Sequence, residues 1–238
     1  MRVLSIDLAS LDPNDLGIAL LTSDATIRVE LVPPDRLSLM RPLQVGPLAD
    51  ALVALAEGSD CRWIAVDGPS GWKHPDNGLI HSRVSDRALN APAKVGLPGH
   101  VKPRPYLKFV DFSIALFDAL ADRGYARLAS AATPAGVRTS VEILPLVCWS
   151  RLNLPRLPAK SKCTPEALSG CSEALSTLVS FVSPPGHDEL QATIGGIGVL
   201  WQLLGWSDRI ELAGSPPVLL DGYWREGLIL APSIGLLD

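Results

Sequence analysis

No Cys-X-X-Cys pair occurs among the four cysteines, Cys61, Cys148, Cys163 and Cys171, and the nearest two stand eight positions apart. That spacing supports neither a zinc site nor a disulfide framework. Long apolar runs are missing as well. The longest, Ile194 to Trp206, has 13 residues and carries glycines and a glutamine, too short to span a bilayer despite a mean hydropathy of +0.23. The amino terminus lacks the charged region, apolar region and cleavage site of a secretory signal, so a soluble cytoplasmic protein with no membrane partner is expected. Strong net charge is absent too, and −4 over 238 residues disfavours a generic nucleic-acid binder. No internal repeat is found.

What is present is unevenly placed. Between Lys73 and Lys108 the basic residues Lys73, Arg83, Arg87, Lys94, Lys102, Arg104 and Lys108 face only Asp76 and Asp86, a local balance of +5 that leaves −9 for the remainder. Such a segment fits a phosphate-bearing partner, or equally a solvated loop. The 47% hydrophobic content supports a compact globule, and the length suits one α/β domain over 1–238 with a probable insertion at 68–105.

Periodicity outlines the elements. Arg2 to Leu8, Gly17 to Leu21 and Ile27 to Val32 read as three strands with short links, an antiparallel meander. Leu43 to Glu57 places Leu48, Leu52, Leu55 and Ala56 on one helical face, and Arg62 to Val66 returns as a buried strand parallel to the first. From Gly68 to Pro105 the chain is rich in proline, glycine and basic residues, with one short helical candidate at Ser82 to Asn90. Tyr106 to Arg123 is an amphipathic helix. Thr139 to Leu144 reads as a fifth strand ended by Pro145. Thr164-Pro165-Glu166 opens a helix predicted to run to about Phe181. The final helix, His187 to Leu204, contains Gly195, Gly196 and Gly198, which calls for close packing on a sheet. Pro217 to Pro232 resembles a hairpin turning at Asp221-Gly222.

Two strand-like runs end in a charge: Val3-Leu4-Ser5-Ile6-Asp7 and Trp63-Ile64-Ala65-Val66-Asp67. A carboxylate at the mouth of a core strand is costly unless a cation or hydrogen bonds compensate it. Parallel neighbours would set Asp7 and Asp67 side by side at the carboxyl ends, where open α/β sheets place ligands, roughly 4.8 Å apart. Asp188, opening the last helix, is a candidate third ligand for magnesium or manganese. Divalent ions so held would activate a water for phosphodiester hydrolysis. Each acid also has a purely structural reading: Asp7 and Asp67 as turn caps, and Asp188 as a helix-dipole partner. Glu142, in the fifth strand with Ser140 and Leu144, is either a further acid or an edge residue facing water. Arg83 and Asp86 have the spacing of a local ion pair. Lys160 and Lys162 are phosphate candidates if their loop faces the acids, and His187 adjoins Asp188 at the helix start.

Taken together, Ser5-Ile6-Asp7-Leu8-Ala9, Ala65-Val66-Asp67-Gly68-Pro69-Ser70-Gly71, Ser82-Arg83-Val84-Ser85-Asp86-Arg87, Val141-Glu142-Ile143-Leu144-Pro145, Leu157-Pro158-Ala159-Lys160, His187-Asp188-Glu189-Leu190-Gln191-Ala192 and Glu226-Gly227-Leu228-Ile229 carry a resemblance across most of the chain. In their order and spacing the sequence resembles the domain of unknown function 429 family, proteins regarded as predicted nucleases with a ribonuclease H-like fold. The resemblance implies a mixed five-stranded sheet of order 3-2-1-4-5 flanked by helices. It also implies carboxylates at Asp7, Asp67 and Asp188, a strand-five glutamate at Glu142, and a motif after strand four at Arg83 and Asp86. One departure is Gln191, which stands near where the resemblance calls for another aspartate.

The leading expectation is a metal-dependent nuclease. Asp7, Asp67, Glu142 and Asp188 would be its catalytic acids, and Asp7, Asp67 and Asp188 would ligate Mg2+ or Mn2+. Arg83, Arg87, Lys160 and Lys162 would contact the nucleic acid. Two alternatives stand beside it. A nucleotide-binding phosphotransferase would need a duplicated core, and Asp7-Leu8-Ala9-Ser10 lacks its phosphate-loop glycine. A non-catalytic binding or scaffold module would keep the acids without the reaction.

Overall fold

The computed structural model of the chain describes residues 1–24 and 26–234. In chain order it forms β1 (Arg2–Asp7), β2 (Gly17–Ser23), β3 (Ile27–Leu31), α1 (Val45–Gly58), β4 (Trp63–Asp67), α2 (Val84–Ala88), β5 (Lys94–Val95) and β6 (Val101–Lys102). These are followed by α3 (Leu107–Asp122), β7 (Ala126–Arg127), β8 (Thr139–Ile143), α4 (Pro145–Arg151), α5 (Pro165–Leu175), β9 (Val179–Phe181), α6 (His187–Leu203), β10 (Ile210–Leu220) and β11 (Tyr223–Pro232).

Strand alternation decides the layering. Val3, Ala19, Leu21, Trp63, Ala65, Val141 and Ile143 pack against residues of α4, α5 and α6. Their neighbours Leu4, Ile6, Ile18, Leu20, Ile64 and Val66 pack against α1 and α3 on the opposite face. With both faces covered, β1 and β4 read as continuous apolar runs rather than as alternating ones. The same period of two carries Asp7 with Val3 and Ser5, and Asp67 with Trp63 and Ala65. Both acids therefore leave the sheet on its α6 face.

The sheet is mixed, as expected for this α/β chain. β1 pairs antiparallel with β2 and β2 with β3, while β4 lies parallel to β1 and β8 parallel to β4. The five-stranded expectation is corrected: among the described residues the sheet has nine strands, ordered β10-β11-β8-β4-β1-β2-β3-β9 with β7 on β8. One added edge comes from the segment predicted to be helical to Phe181. α5 stops at Leu175, where the Ser176 and Thr177 hydroxyls donate back to the Ser172 and Ala174 carbonyls, and Val179 to Phe181 then pairs with β3. The other edge is the terminal hairpin, which turns at Asp221 and Gly222, both left-handed as a two-residue turn requires. Its β11 lies parallel to β8.

Pro145 follows β8 and also opens α4, where its missing N–H costs nothing. The stretch 68–105 holds a short helix, α2, within the expected 82–90 segment, and adds a small β5–β6 hairpin. The glycines of α6 do serve close packing. A Cβ on Gly196 would meet Leu21 and Ser5 at 2.8 Å, and one on Gly195 would run into Ile143. The Ser5 hydroxyl also donates to the Ala192 carbonyl at 2.6 Å, so α6 rests directly on β1.

Candidate functional site

Register pairs Asp7 with Asp67 across the parallel strands β1 and β4. Burial and the nearby charge of Asp67 make it costly for both carboxyl groups to ionise, so they titrate as a unit. Burial, then the charges of Asp67 and Asp188, hold Asp7 well above the ordinary carboxylate range, with Lys160 pulling the other way. Burial likewise pushes Asp67 up to about 7, opposed by the hydrogen bond from Asp7 and reinforced by the charge of Glu142.

The start of α6 comes down beside this pair because β2 offers no side chain at Gly17, the register partner of Asp7. A Cβ there would collide with the Asp188 carbonyl. Asp188 does not complete a three-carboxylate cluster. Its Oδ2 accepts from Lys160 Nζ at 2.5 Å, and its Oδ1 lies 3.0 Å from His187 Nδ1. Lys160 also donates to Asp15 Oδ1 at 2.7 Å, while His187 Nε2 reaches the Pro158 carbonyl at 2.8 Å. The 157–160 loop thus faces the acids through Lys160. Lys162 is exposed in the same 3-10 turn and makes none of the described ion pairs.

By strand parity Glu142 leaves the sheet on the other face from the acid pair, yet at the strand ends it lines the same cavity as Asp67 and its charge reaches that acid. Glu142 pairs in register with Val66 and alternates against Val141 and Ile143, so it leaves the sheet on the face away from α6. There its Oε2 accepts from Ser70 N at 2.9 Å, Ser70 Oγ at 3.0 Å and Arg83 Nη1 at 2.8 Å, and its Oε1 accepts from Arg83 Nη2 at 2.7 Å. Arg83, 1% exposed, also grips Asp86 Oδ1, while Asp86 Oδ2 takes the backbone N–H groups of Arg83 and Val95. Burial works against the Arg83 charge, but Asp86 and Glu142 outweigh it and hold its pKa above the usual arginine value. The local Arg83–Asp86 pair therefore exists as part of a buried network, and both residues line the cavity beside Asp67. Arg87 lies exposed on α2.

Sequence reasoning overlooked three contributors. Glu226, buried and left-handed at φ 60°, accepts from His74 N, Val84 N and Asn77 Nδ2, which ties the terminal hairpin to the 68–105 segment. Its place in a quoted motif was the available signal. Ser70, in the motif that follows Asp67, donates to Glu142, and Asp15, which lies in none of the motifs, shares Lys160. Gln191, where another acid was expected, accepts from the Trp149 indole at 2.8 Å. It supports the core instead of adding charge.

A cavity of about 200 Å³ opens beside Asp67, with Arg83, Asp86, Glu142, Tyr106, Phe109 and Gln191 in its wall. The donors here are hard carboxylate oxygens, which suit Mg2+ or Mn2+, and a divalent cation would relieve the repulsion between the two charges. Asp7 and Asp67 fit such an ion as a pair. Among the described residues no cluster of three His, Cys, Asp or Glu side chains is arranged to hold a metal. The third acid is held by Lys160.

No family model matches the chain, that of the domain of unknown function 429 family included, and no curated protein matches it. Among solved structures it is similar to the Thermus thermophilus RuvC structure, with TM-score 0.41, 12% identity, and 91% of this chain and 99% of that chain covered. It is also similar to T. thermophilus RuvC in complex with Holliday junction substrate, with TM-score 0.42, 13% identity, and 86% and 97% covered. At these values the likeness is one of general outline. No helix among the described residues is long and apolar enough to cross a membrane.

Proposed function

We propose that this chain is a metal-dependent nuclease that hydrolyses phosphodiester bonds at the Asp7–Asp67 pair. The observation that carries the reading is the register pairing of two part-buried aspartates at the carboxyl ends of adjacent parallel strands, with the acidic start of α6 set against them. Structural carboxylates are ordinarily paired with cations, whereas these two face each other in a wall that keeps both costly.

Asp7 and Asp67 would hold the cation, with Asp188 joining once Lys160 releases it. When bound, the ion would supply Lewis acidity toward the phosphate and lower the pKa of a coordinated water. The chain's own residues do the rest. Lys160, set free, is placed to meet phosphate oxygens, with Lys162 two residues further along the same turn. Arg83 and Glu142 act at a distance, fixing Ser70 and the strand end that carries Asp67.

Incubating labelled DNA and RNA with the protein in Mg2+ or Mn2+, and in chelator, tests the reading. Cleavage that vanishes with chelator and in a folded Asp7→Asn variant is expected. No cation-dependent cleavage of any strand by the wild-type protein would refute it. A second reading, a binding module that retains its acids, is favoured by one observation, the Lys160–Asp188 pair that withholds the third ligand.

A further inference from the structure

We infer that the β5–β6 hairpin and the turn after it form a cradle that grips the backbone of a single nucleic-acid strand leading toward Asp67. The inference rests on the reading of the acid pair as the place where that strand is cut.

A second cavity, of about 640 Å³, lies over the hairpin, and its lining includes Lys94, Lys102, Arg104, His81 and His100 but no carboxylate. Lys102 and Arg104 are exposed and, among the described residues, enter no ion pair. The structure also sorts the basic run that the sequence shows between Lys73 and Lys108. Lys73 is buried with its ammonium on the His74 and Pro75 carbonyls, and Arg83 is consumed by Asp86 and Glu142. Of the remaining cations Lys102 and Arg104 stand exposed on the hairpin and the turn after it, while Arg87 on α2 and Lys108 on α3 are exposed outside the cavity wall. On a chain of net charge −4 this cavity is a local positive concavity, complementary to a polyanion.

The cradle is fixed in place from behind. Lys94 Nζ donates to the Asp86 carbonyl at 3.1 Å, Val95 N donates to the Asp86 carboxylate at 2.9 Å, and Lys73 N donates to the Gly96 carbonyl at 2.9 Å. A short two-stranded hairpin is marginal alone, so these anchors preorganise it on the buried Arg83 network.

The two cavities are neighbours along the chain. Val95 and Tyr106, in the wall of the cavity beside Asp67, directly follow Lys94 and the Arg104 turn that line the larger one. Tyr106 is 42% exposed, Leu97 43% and Ile80 84%. Exposed apolar and aromatic faces beside a cationic groove suit unpaired bases, which stack, better than a duplex, whose bases are hidden.

The test measures binding in chelator, so that no cleavage is needed, by anisotropy of a fluorescein-labelled oligothymidylate. Three proteins are compared: wild type, Lys102→Glu/Arg104→Glu, and Arg28→Glu/Arg36→Glu, which makes the same charge change at exposed positions away from the hairpin. Binding should weaken by roughly tenfold or more in the hairpin variant, with a shallower salt dependence, and by less than about twofold in the control. Equal losses in both variants would overturn the proposal, as would absent wild-type binding or tighter binding of the matching duplex. Full displacement by tripolyphosphate at equal phosphate concentration would also overturn it, since the site would then take small anions. Hairpin-dependent binding without any cation-dependent cleavage would sustain the cradle and remove the nuclease reading. Cation-dependent cleavage with unaltered binding in the hairpin variant would do the reverse.

Discussion

Lys160 Nζ lies 2.5 Å from Asp188 Oδ2, so the ammonium occupies the side of Asp188 on which a cation would act. Burial works against its charge, yet hydrogen bonds to Asp15 and Asp188 hold the Lys160 pKa above the usual lysine value. The lysine is about half exposed, so the contact is screened and can be exchanged. Replacing Lys160 by methionine should tighten Mn2+ binding, by roughly tenfold if Asp188 then joins the pair. Titration calorimetry checks this. Unchanged or weaker binding would mean that Lys160 does not compete with the ion.

The acid pair makes stability depend on pH in a defined direction. Asp67 ordinarily titrates near 3.8 and is pushed up to about 7 in the folded chain. Between those values the folded state holds a proton that the unfolded state has released, so stability falls as pH rises, and it levels off above the folded value. Melting temperature in chelator should therefore decline from about pH 4 to 7, by several degrees for a chain of this size. In Asp67→Asn that decline should flatten. Parallel profiles for the two proteins would contradict a raised Asp67 pKa.

Arg83 neutralises Glu142 and Asp86, all three nearly fully buried in the wall of the cavity beside Asp67. Arg83→Met leaves two carboxylates without their cation, a loss on the order of 3–5 kcal/mol for breaking a buried pair. Urea unfolding measures it. A variant within about 0.5 kcal/mol of wild type would show that the network is not closed as described.

Gly17 lets the start of α6 approach β1. Gly17→Ala forces the Asp188 backbone away from the new methyl group, at a cost of roughly 1–3 kcal/mol as in other overpacked sites. It should also weaken Mn2+ binding, because Asp188 moves with its helix. Unaltered melting and unaltered affinity together would show that the approach is looser than the structure places it.

Much of this was legible from local pattern. The pairing of Asp7 with Asp67 followed from an apolar helix between two apolar strands, since a crossover of that kind makes the strands parallel neighbours. The glycine-rich α6 and the turn at Asp221-Gly222 were legible for similar reasons. Glu142 was legible only in part. Its strand was apparent and its alternation with Val141 was already in the sequence, but which face looked toward Asp67 depended on the register between β4 and β8. β9 was not legible, because three residues after a helix end become a strand only when an open edge such as β3 is there to pair with them.

By itself the sequence determined the strand and helix periods, the absence of metal-binding cysteine spacings, and the placing of a charge at the end of each of two buried strands. Those are properties of neighbours a few residues apart. Only the tertiary structure decided that Lys160 rather than a fourth acid meets Asp188, and that Arg83 and Glu142 spend their charges on each other. It also decided that Lys102 and Arg104 stand over a hollow and enter no ion pair among the described residues. The reason is that an ion pair is settled by which groups lose water together, and residues 59 positions apart such as Arg83 and Glu142 do so only after the sheet and its helices have closed around them.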